Sequence, residues 1–120
     1  MRITDIEANP ILRLTLEFSV DAVKYCEELE QQKKFVISKQ LLRCATSIGA
    51  NSMEAQNAES KADFIHKMKI AAKEADETQY WLFICEKSDS YPSAKLLFAK
   101  LEEINKILNS IIGTAKRKII

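Results

Sequence analysis

The sequence predicts an all-α protein, an antiparallel up-down-up-down four-helix bundle in which residues 1–120 form one domain. A length of 120 residues suits a single domain. Two Gly and two Pro are too few for the turns of a many-stranded sandwich or barrel. Apolar residues recur at alternating steps of three and four along four segments, which places one apolar stripe on each of four helices. Short connections between these segments make consecutive helices reverse direction.

The first helix is predicted over residues 10–31. Asn9 can cap the free amides of a helix, and Pro10 suits its first position because no amide partner is lost there. The apolar stripe of this helix consists of Ile11, Phe18, Ala22, Tyr25 and Leu29, with Thr15 filling the gap.

The second helix is predicted over residues 38–58, after a break of the stripe between Gln32 and Ile37. Ser38 is the expected cap of this helix. Its stripe is made mostly of small residues, which predicts close packing against neighbouring helices: Leu41, Ala45, Ile48, Ser52 and Ala55.

The third helix is predicted over residues 61–87 and the fourth over residues 92–118. Ser60, followed three residues later by Asp63, has the spacing of a capping box at the start of the third helix. The stripe of the third helix is Phe64, Met68, Ala71, Ala75, Thr78, Leu82 and Cys85. The stripe of the fourth helix is Ala94, Leu97, Leu101, Ile104, Leu108, Ile111 and Ala115.

Few residues suit catalysis, a metal or a cofactor, so the sequence predicts a protein that is not an enzyme and binds neither. The only His is His66, whereas a di-iron bundle needs two Glu-x-x-His pairs. The three Cys are far apart and lie among apolar helical residues, which is typical of buried reduced thiols. No apolar run approaches a membrane span, and the N-terminus lacks the pattern of a signal peptide, so we expect a cytoplasmic protein.

Apolar residues also lie outside the four stripes, and the apolar surface exceeds what one bundle can bury. A large exposed apolar patch usually marks a contact site, which predicts self-association or a protein partner. Wide core stripes in a small bundle are the alternative for part of this set. Its members are Leu12, Leu16, Val23, Tyr80, Trp81, Phe83, Ile84, Phe98, Ile107 and Ile112.

Two polar sets lie on the second and third helices. Arg43, Ser47, Asn51 and Glu54 share one face of the second helix, where a solvated surface is the simplest interpretation. Glu74 and Glu77 precede the aromatic run on the third helix and can pair with Arg43 across the helix interface. Such a pair would be structural, with a small net effect on stability.

The candidate nucleic-acid contacts are four basic residues on the second and third helices, Lys39, Arg43, Lys69 and Lys73. Further basic residues lie at Lys61, Lys67 and the C-terminal run from Lys116 to Lys118. The net charge is only +1, so any basic site must be local. Ordinary solvated lysines are the alternative. Self-association would repeat the patch in every copy and strengthen its field.

Residues 38–82 contain a set of spaced motif residues: Arg43, Ser47, Ile48, Asn51, Glu54, Ser60, Asp63, Phe64, Glu74, Glu77, Thr78, Tyr80, Trp81 and Leu82. This set resembles the pattern of a small family of four-helix-bundle proteins encoded in intervening sequences of bacterial 23S ribosomal RNA genes. The chain has Ala55 where the family usually has Gly.

The resemblance implies a left-handed bundle that assembles as a ring-like homopentamer. The chain is also similar to the accessory variability proteins of diversity-generating retroelements, which bind a reverse transcriptase and nucleic acid through a basic surface. We therefore expect a non-enzymatic oligomeric module that binds RNA or a ribonucleoprotein or reverse-transcriptase-type partner. The alternative is a structural or protein-binding scaffold without nucleic-acid contact.

Overall fold

The computed structural model describes residues 1–119, which form five helices. These are α1 (Ile3–Ala8), α2 (Pro10–Gln31), α3 (Phe35–Ala55), α4 (Lys61–Lys87) and α5 (Lys95–Ile119). No strand occurs in that range, so the prediction of an all-α protein is confirmed. The molecule is elongated, with extents of 50 × 28 × 21 Å.

The four long helices pack in a closed cycle: α2 on α3, α3 on α4, α4 on α5, and α5 back on α2. The predicted stripes form the core on α2 and α3 throughout their length. Near the outer ends of α4 and α5 the stripe moves by one residue. There Ile65 and Ile112 are buried, while Phe64 and Ile111 are only half-buried. On α5 the longer step from Leu108 to Ile112 follows from the drift of a 3.5-residue spacing around a helix of 3.6 residues per turn. The shorter step from Ile65 to Met68 on α4 runs in the opposite sense and does not follow from this drift.

Small residues bring α2 and α3 close together. A methyl group placed on Gly49 would lie 3.1 Å from Oγ1 and 3.2 Å from Cβ of Thr15, so this contact depends on the missing side chain. The Thr15 hydroxyl donates to the Ile11 carbonyl at 2.7 Å, which satisfies a polar group in the core. The α2–α3 contact is therefore a close approach of two backbones.

The second predicted helix, residues 38–58, is wrong at both ends, because α3 spans Phe35–Ala55. At the start, α2 ends in a compact turn in which Lys33 has φ of 62°. The amide of Lys34 donates to the Leu29 carbonyl and that of Lys33 to the Glu30 carbonyl, the hydrogen bonds of a Schellman turn. The chain reverses within three residues, and α3 begins at once. Ser38 is buried inside α3 and donates to the Cys26 carbonyl of α2 at 3.1 Å.

The helical hydrogen bonds of α3 give way to short turns after Ala55. The amides of Asn57 and Ala58 donate to carbonyls only three residues back, so residues 56–58 lie outside the helix. The cap of α4 is Ser60, whose hydroxyl accepts from the Asp63 amide at 3.0 Å. The Asp63 carboxylate accepts from the amide of Glu59, one residue earlier than a capping box requires.

The fourth predicted helix, residues 92–118, begins too early, because α5 spans Lys95–Ile119. The preceding residues are held by side chains from other helices. The Pro92 carbonyl accepts from the Tyr25 hydroxyl at 2.7 Å, and the Ala94 amide donates to the Glu86 carboxylate. These contacts delay the first helical bond of α5, from the Phe98 amide to the Ala94 carbonyl.

The short helix α1 was not predicted from the sequence. Its six residues are fewer than two turns, too few to show an apolar period. Only Ile6 of this helix is buried, and α1 packs on α2. Asp5 accepts from the Arg2 amide at 2.9 Å and closes its first turn.

Candidate functional site

An ion cluster joins α3 to α4 on the outer edge of their interface. The Arg43 guanidinium of α3 donates to the Glu74 carboxylate at 3.4 Å and also to the Glu77 carboxylate. The Trp81 indole Nε1 donates to the same oxygen of Glu77 at 3.1 Å. The pairing of Arg43 with both glutamates, one of the two roles that the sequence allowed for this arginine, is therefore present in the structure.

The cluster changes the acidity of its members in opposite directions. The hydrogen bond from Arg43 lowers the pKa of the Glu77 carboxyl, and the Trp81 donor adds to this effect. The hydrogen bond to Glu77 in turn raises the pKa of Arg43. Both changes stabilise the charged forms, so the cluster links the two helices and stays ionised at neutral pH.

The other polar residues of the predicted α3 face do not join this cluster. Ser47 donates to the Arg43 carbonyl at 2.7 Å, and Asn51 donates to the Ser47 carbonyl at 2.8 Å. Both side chains therefore bond to the backbone of their own helix. Glu54 is exposed one turn further along. Of the four residues on this face, one therefore belongs to the ion cluster, two bond to the backbone of α3, and one is a surface carboxylate.

The four predicted nucleic-acid contacts also divide between two regions. Lys39 and Arg43 lie on α3, where the charge of Arg43 is engaged by carboxylates. Lys69 and Lys73 are exposed on α4, four residues apart and therefore on one side of that helix. The structure places a further cation next to Lys69, namely Lys116 near the end of α5.

Lys69 and Lys116 are like charges in close proximity. Lys116 lowers the pKa of Lys69, because a neighbouring cation disfavours the charged form. Within residues 1–119, neither lysine takes part in an ion pair with a carboxylate. Lys116, Arg117 and Lys118 occupy the last turn of α5, where cations also complement the helix dipole. We call Lys69, Lys73 and residues 116–118 the basic end.

A cavity of about 530 Å³ opens at the same end of the molecule, between α3, α4 and α5. Apolar side chains line much of it, including the half-buried Phe64 and Ile111. Lys61 and Lys118 also line it. The basic end therefore borders a concave surface.

Sequence reasoning missed two of these contacts, although both leave a signal. Glu77 and Trp81 are four residues apart, the spacing at which side chains of one helix meet. Lys69 and Lys116 meet because the short α4–α5 connection places the start of α4 beside the end of α5. The ring centroids of Phe83 and Phe98, nearer that connection, lie 5.0 Å apart in the same register.

The three cysteines of the chain are buried thiols. Cys26, Cys44 and Cys85 are free and buried, and burial raises the pKa of Cys26 to about 11. Within the described residues, no three His, Cys, Asp or Glu side chains are grouped so as to hold a metal ion. None of the helices that the structure describes has the length and apolarity needed to cross a membrane.

Comparisons with known proteins agree on one family. The sequence profile of the 23S rRNA-intervening sequence protein family matches residues 7–110. A crystal structure from Bacteroides thetaiotaomicron, described as a protein with unknown function from the S23 ribosomal protein family, is 46% identical to the chain. The match covers 85% of this chain and 97% of that one, with a TM-score of 0.81. No curated protein matches the chain. The profile match over most of the length shows that the chain belongs to the 23S rRNA-intervening sequence protein family.

Proposed function

We propose that this protein is a non-enzymatic, antiparallel four-helix bundle that assembles as a ring-like homopentamer in the cytoplasm and binds RNA. The closed cycle of contacts among α2, α3, α4 and α5 supports the bundle. Exposed apolar side chains on α2 and α4 support assembly. The three buried free cysteines agree with a reducing compartment.

The observation that carries RNA binding is the convergence of Lys69 and Lys116 at the basic end. Two neighbouring ammonium groups repel each other, and a phosphate placed between them would relieve that repulsion. Phosphate contacts by Lys and Arg supply most of the affinity of sequence-independent nucleic-acid binding. A ring would present one basic end per subunit, and five copies would multiply a modest local charge.

Arg43 is less available to bind a phosphate than Lys69 and Lys73. Its guanidinium is shared by two carboxylates, so it has less charge to offer a phosphate. Lys39 lies one turn away on α3 and is exposed. We therefore assign the phosphate contacts to the basic end and expect Lys39 to contribute through the general field.

The test compares two pairs of lysines on the same two helices. In the first variant, Lys69→Gln and Lys116→Gln remove charge at the basic end. In the matched control, Lys87→Gln and Lys95→Gln remove the same charge at the opposite end of α4 and α5. Affinity for a labelled RNA hairpin is measured at several salt concentrations by fluorescence anisotropy, after light scattering has shown that assembly is intact.

We expect the first pair to weaken binding and to flatten the dependence of log affinity on log salt. Each lost phosphate contact changes that slope by about 0.7 for single strands and about 0.9 for duplex. The control pair should leave the slope near that of the unmodified protein. Equal slopes for both pairs would contradict a basic-end site, and wild-type protein without measurable RNA affinity would favour the scaffold.

The scaffold alternative is supported by the same exposure of large apolar side chains, which lie on all five helices. A structural or protein-binding ring would assemble in the same way and make no phosphate contacts. Light scattering of the unmodified protein should give the mass of five chains under either function. The mass of a single chain, measured at micromolar protein concentration, would contradict assembly for both.

A further inference from the structure

The cavity that borders the basic end lies where α3 ends, α4 begins and α5 ends. We call it the end cavity. Its volume of about 530 Å³ lies within the range of about 300–1,000 Å³ that is usual for small-molecule sites. Much of its lining is apolar, and Phe64 of α4 and Ile111 of α5 are only half-buried there. The packing of the helices therefore leaves part of an aromatic ring uncovered inside a concave surface.

The charged residues that line the end cavity are both lysines. Lys61 is the first residue of α4, and Lys118 lies in the last turn of α5. Within residues 1–119, neither lysine takes part in an ion pair, and no carboxylate lines the end cavity. The carboxylates of Glu54, Glu59 and Asp63 line a separate depression. The electrostatic field of the end cavity therefore favours an anionic ligand.

Uncharged polar side chains also line the end cavity. Ser110 and Thr114 are exposed one turn apart on α5, and Gln56 directly follows α3. A hydrocarbon chain in the cavity would cover these groups without bonding to them, which is unfavourable. A nucleobase has apolar faces and carries hydrogen-bond donors and acceptors on its edge. This mixture of groups therefore fits a nucleotide better than a fatty acid.

We infer that the end cavity binds an unpaired nucleobase of the RNA whose phosphates contact the basic end. The base packs against the ring of Phe64, because aromatic side chains bind single-stranded nucleic acids by stacking on bases. Lys61 and Lys118 contact the phosphates next to that base. This inference rests on the proposed RNA binding and adds to it a preference for unpaired nucleotides.

A base inside a duplex is paired and stacked, so it does not enter the end cavity. Loops, bulges and single strands present bases that can leave the stack. Phosphate contacts alone would favour a duplex, because its charge density is higher than that of a single strand. A preference for single-stranded RNA would therefore report a contact with a base, and it separates the end cavity from the lysines of the basic end.

The test compares a single-stranded RNA with a blunt RNA duplex that has the same number of phosphates. Phe64→Leu keeps an apolar side chain and removes the aromatic face. Ser110→Leu narrows the end cavity from α5 and leaves Phe64 and both lysines in place. Ala99→Leu is the matched control, because Ala99 is exposed on the same side of α5, three turns away, and does not line the cavity. Fluorescence anisotropy at several salt concentrations gives the affinities, and circular dichroism checks folding.

We expect the unmodified protein to bind the single strand more tightly than the duplex. Phe64→Leu should weaken binding of the single strand by about 5-fold or more and leave duplex binding unchanged. The slope of log affinity against log salt should also stay the same, because this variant keeps every cation. Ser110→Leu should have the same selective effect, which guards against a folding defect of Phe64→Leu. Ala99→Leu should match the unmodified protein with both RNAs.

Equal affinity of the unmodified protein for both RNAs would overturn this inference and leave RNA binding by the basic end intact. Single-strand binding that is unchanged in Phe64→Leu and Ser110→Leu would also overturn it. Equal losses for both RNAs in these variants would show that the side chains support the fold and do not contact a base. An unmodified protein that binds neither RNA would remove the proposed function and this inference together.

A second measurement tests the alternative occupant, a hydrocarbon chain with an anionic head. Uridine monophosphate and dodecanoate, below its micelle concentration, are each added to the unmodified protein, and the melting temperature is recorded. We expect uridine monophosphate to raise the melting temperature in the unmodified protein and less in Phe64→Leu. A rise with dodecanoate alone would show that the end cavity binds a hydrocarbon chain, which would overturn the inference.

Discussion

Cations on the outer edges of two helix pairs, α3–α4 and α4–α5, have neighbouring side chains of opposite charge. On the α3–α4 edge, Arg43 is held by two carboxylates, and the indole of Trp81 donates to one of them. On the α4–α5 edge, Lys69 faces Lys116, and no carboxylate among the described residues pairs with either. The first edge is electrostatically satisfied, whereas the second is left with repulsion that a bound anion would relieve.

This difference separates a structural cation from a candidate binding cation. Both kinds lie on exposed helical positions, and the residues next to them in sequence do not distinguish them. The distinction comes from the neighbouring helix, which supplies carboxylates in one case and a lysine in the other. Four experiments test how far this contrast extends, from the largest expected effect to the smallest.

The largest loss of stability is expected from disrupting the close packing of α3 beside the Arg43 ion cluster. Ala45 is fully buried in α3, two residues from Arg43. Replacing it by Leu adds three carbons to a filled core, which should cost about 1 to 3 kcal/mol of unfolding free energy. Denaturant unfolding followed by circular dichroism measures this. Leu96→Ala, an exposed apolar change on α5, is the control and should leave the midpoint unchanged. An unaltered midpoint for Ala45→Leu would contradict tight packing at this site.

The two edges should respond in opposite directions to loss of a cation. Arg43→Gln leaves Glu74 and Glu77 facing each other without a counter-charge, so the melting temperature should fall. Lys69→Gln removes repulsion with Lys116, so the melting temperature should stay the same or rise. Both differences should shrink at high salt, since the groups are exposed. Parallel decreases for both variants would show that the edges do not differ.

The two edges should affect the pH dependence of stability in different ranges, the Glu77 edge at acid pH and the Lys69 edge at alkaline pH. The folded pKa of Glu77 is lowered, so its contribution is present above the ordinary carboxyl value and lost as pH falls through the folded pKa. The folded pKa of Lys69 is also lowered. Between that value and the ordinary lysine value, the unfolded chain binds more protons than the folded one, so stability rises with pH.

Unfolding midpoints measured across pH for three proteins check these signs. Arg43→Gln should reduce the loss of stability on the acid side and leave the alkaline side unchanged. Lys69→Gln should reduce the alkaline rise and leave the acid side unchanged. If the profile of Lys69→Gln matched that of the unmodified protein at alkaline pH, the proximity of Lys69 and Lys116 would be wrong.

The smallest effect is expected from Trp81→Phe. This change keeps an aromatic ring on α4 and removes the Nε1 donor to Glu77. Arg43 continues to hold the carboxylate, so the decrease in melting temperature should be smaller than that of Arg43→Gln. In the Arg43→Gln background, Trp81→Phe should cost more, because Glu77 then loses its last donor among these contacts. Additive effects in the two backgrounds would argue against a shared carboxylate.

Local features of this fold follow directly from the sequence. The all-α class, the stripes of α2 and α3, and the caps at Asn9 and Ser60 depend on groups only a few residues apart. These interactions need no distant partner, so spacing along the chain is enough to predict them. The family was likewise recognised from motif residues between Arg43 and Leu82.

Other features were decided by contacts between distant parts of the chain. α3 starts early because Lys33 adopts a left-handed turn without a glycine to mark it. α5 starts late because Tyr25 and Glu86 bind the backbone just before it. The roles of Arg43 and Lys69 depend on which side chain the next helix presents. The sequence alone determined the four long helices and most of their buried sides, whereas tertiary packing decided where α3 and α5 begin and which charges are paired, because both depend on contacts between residues remote in the chain.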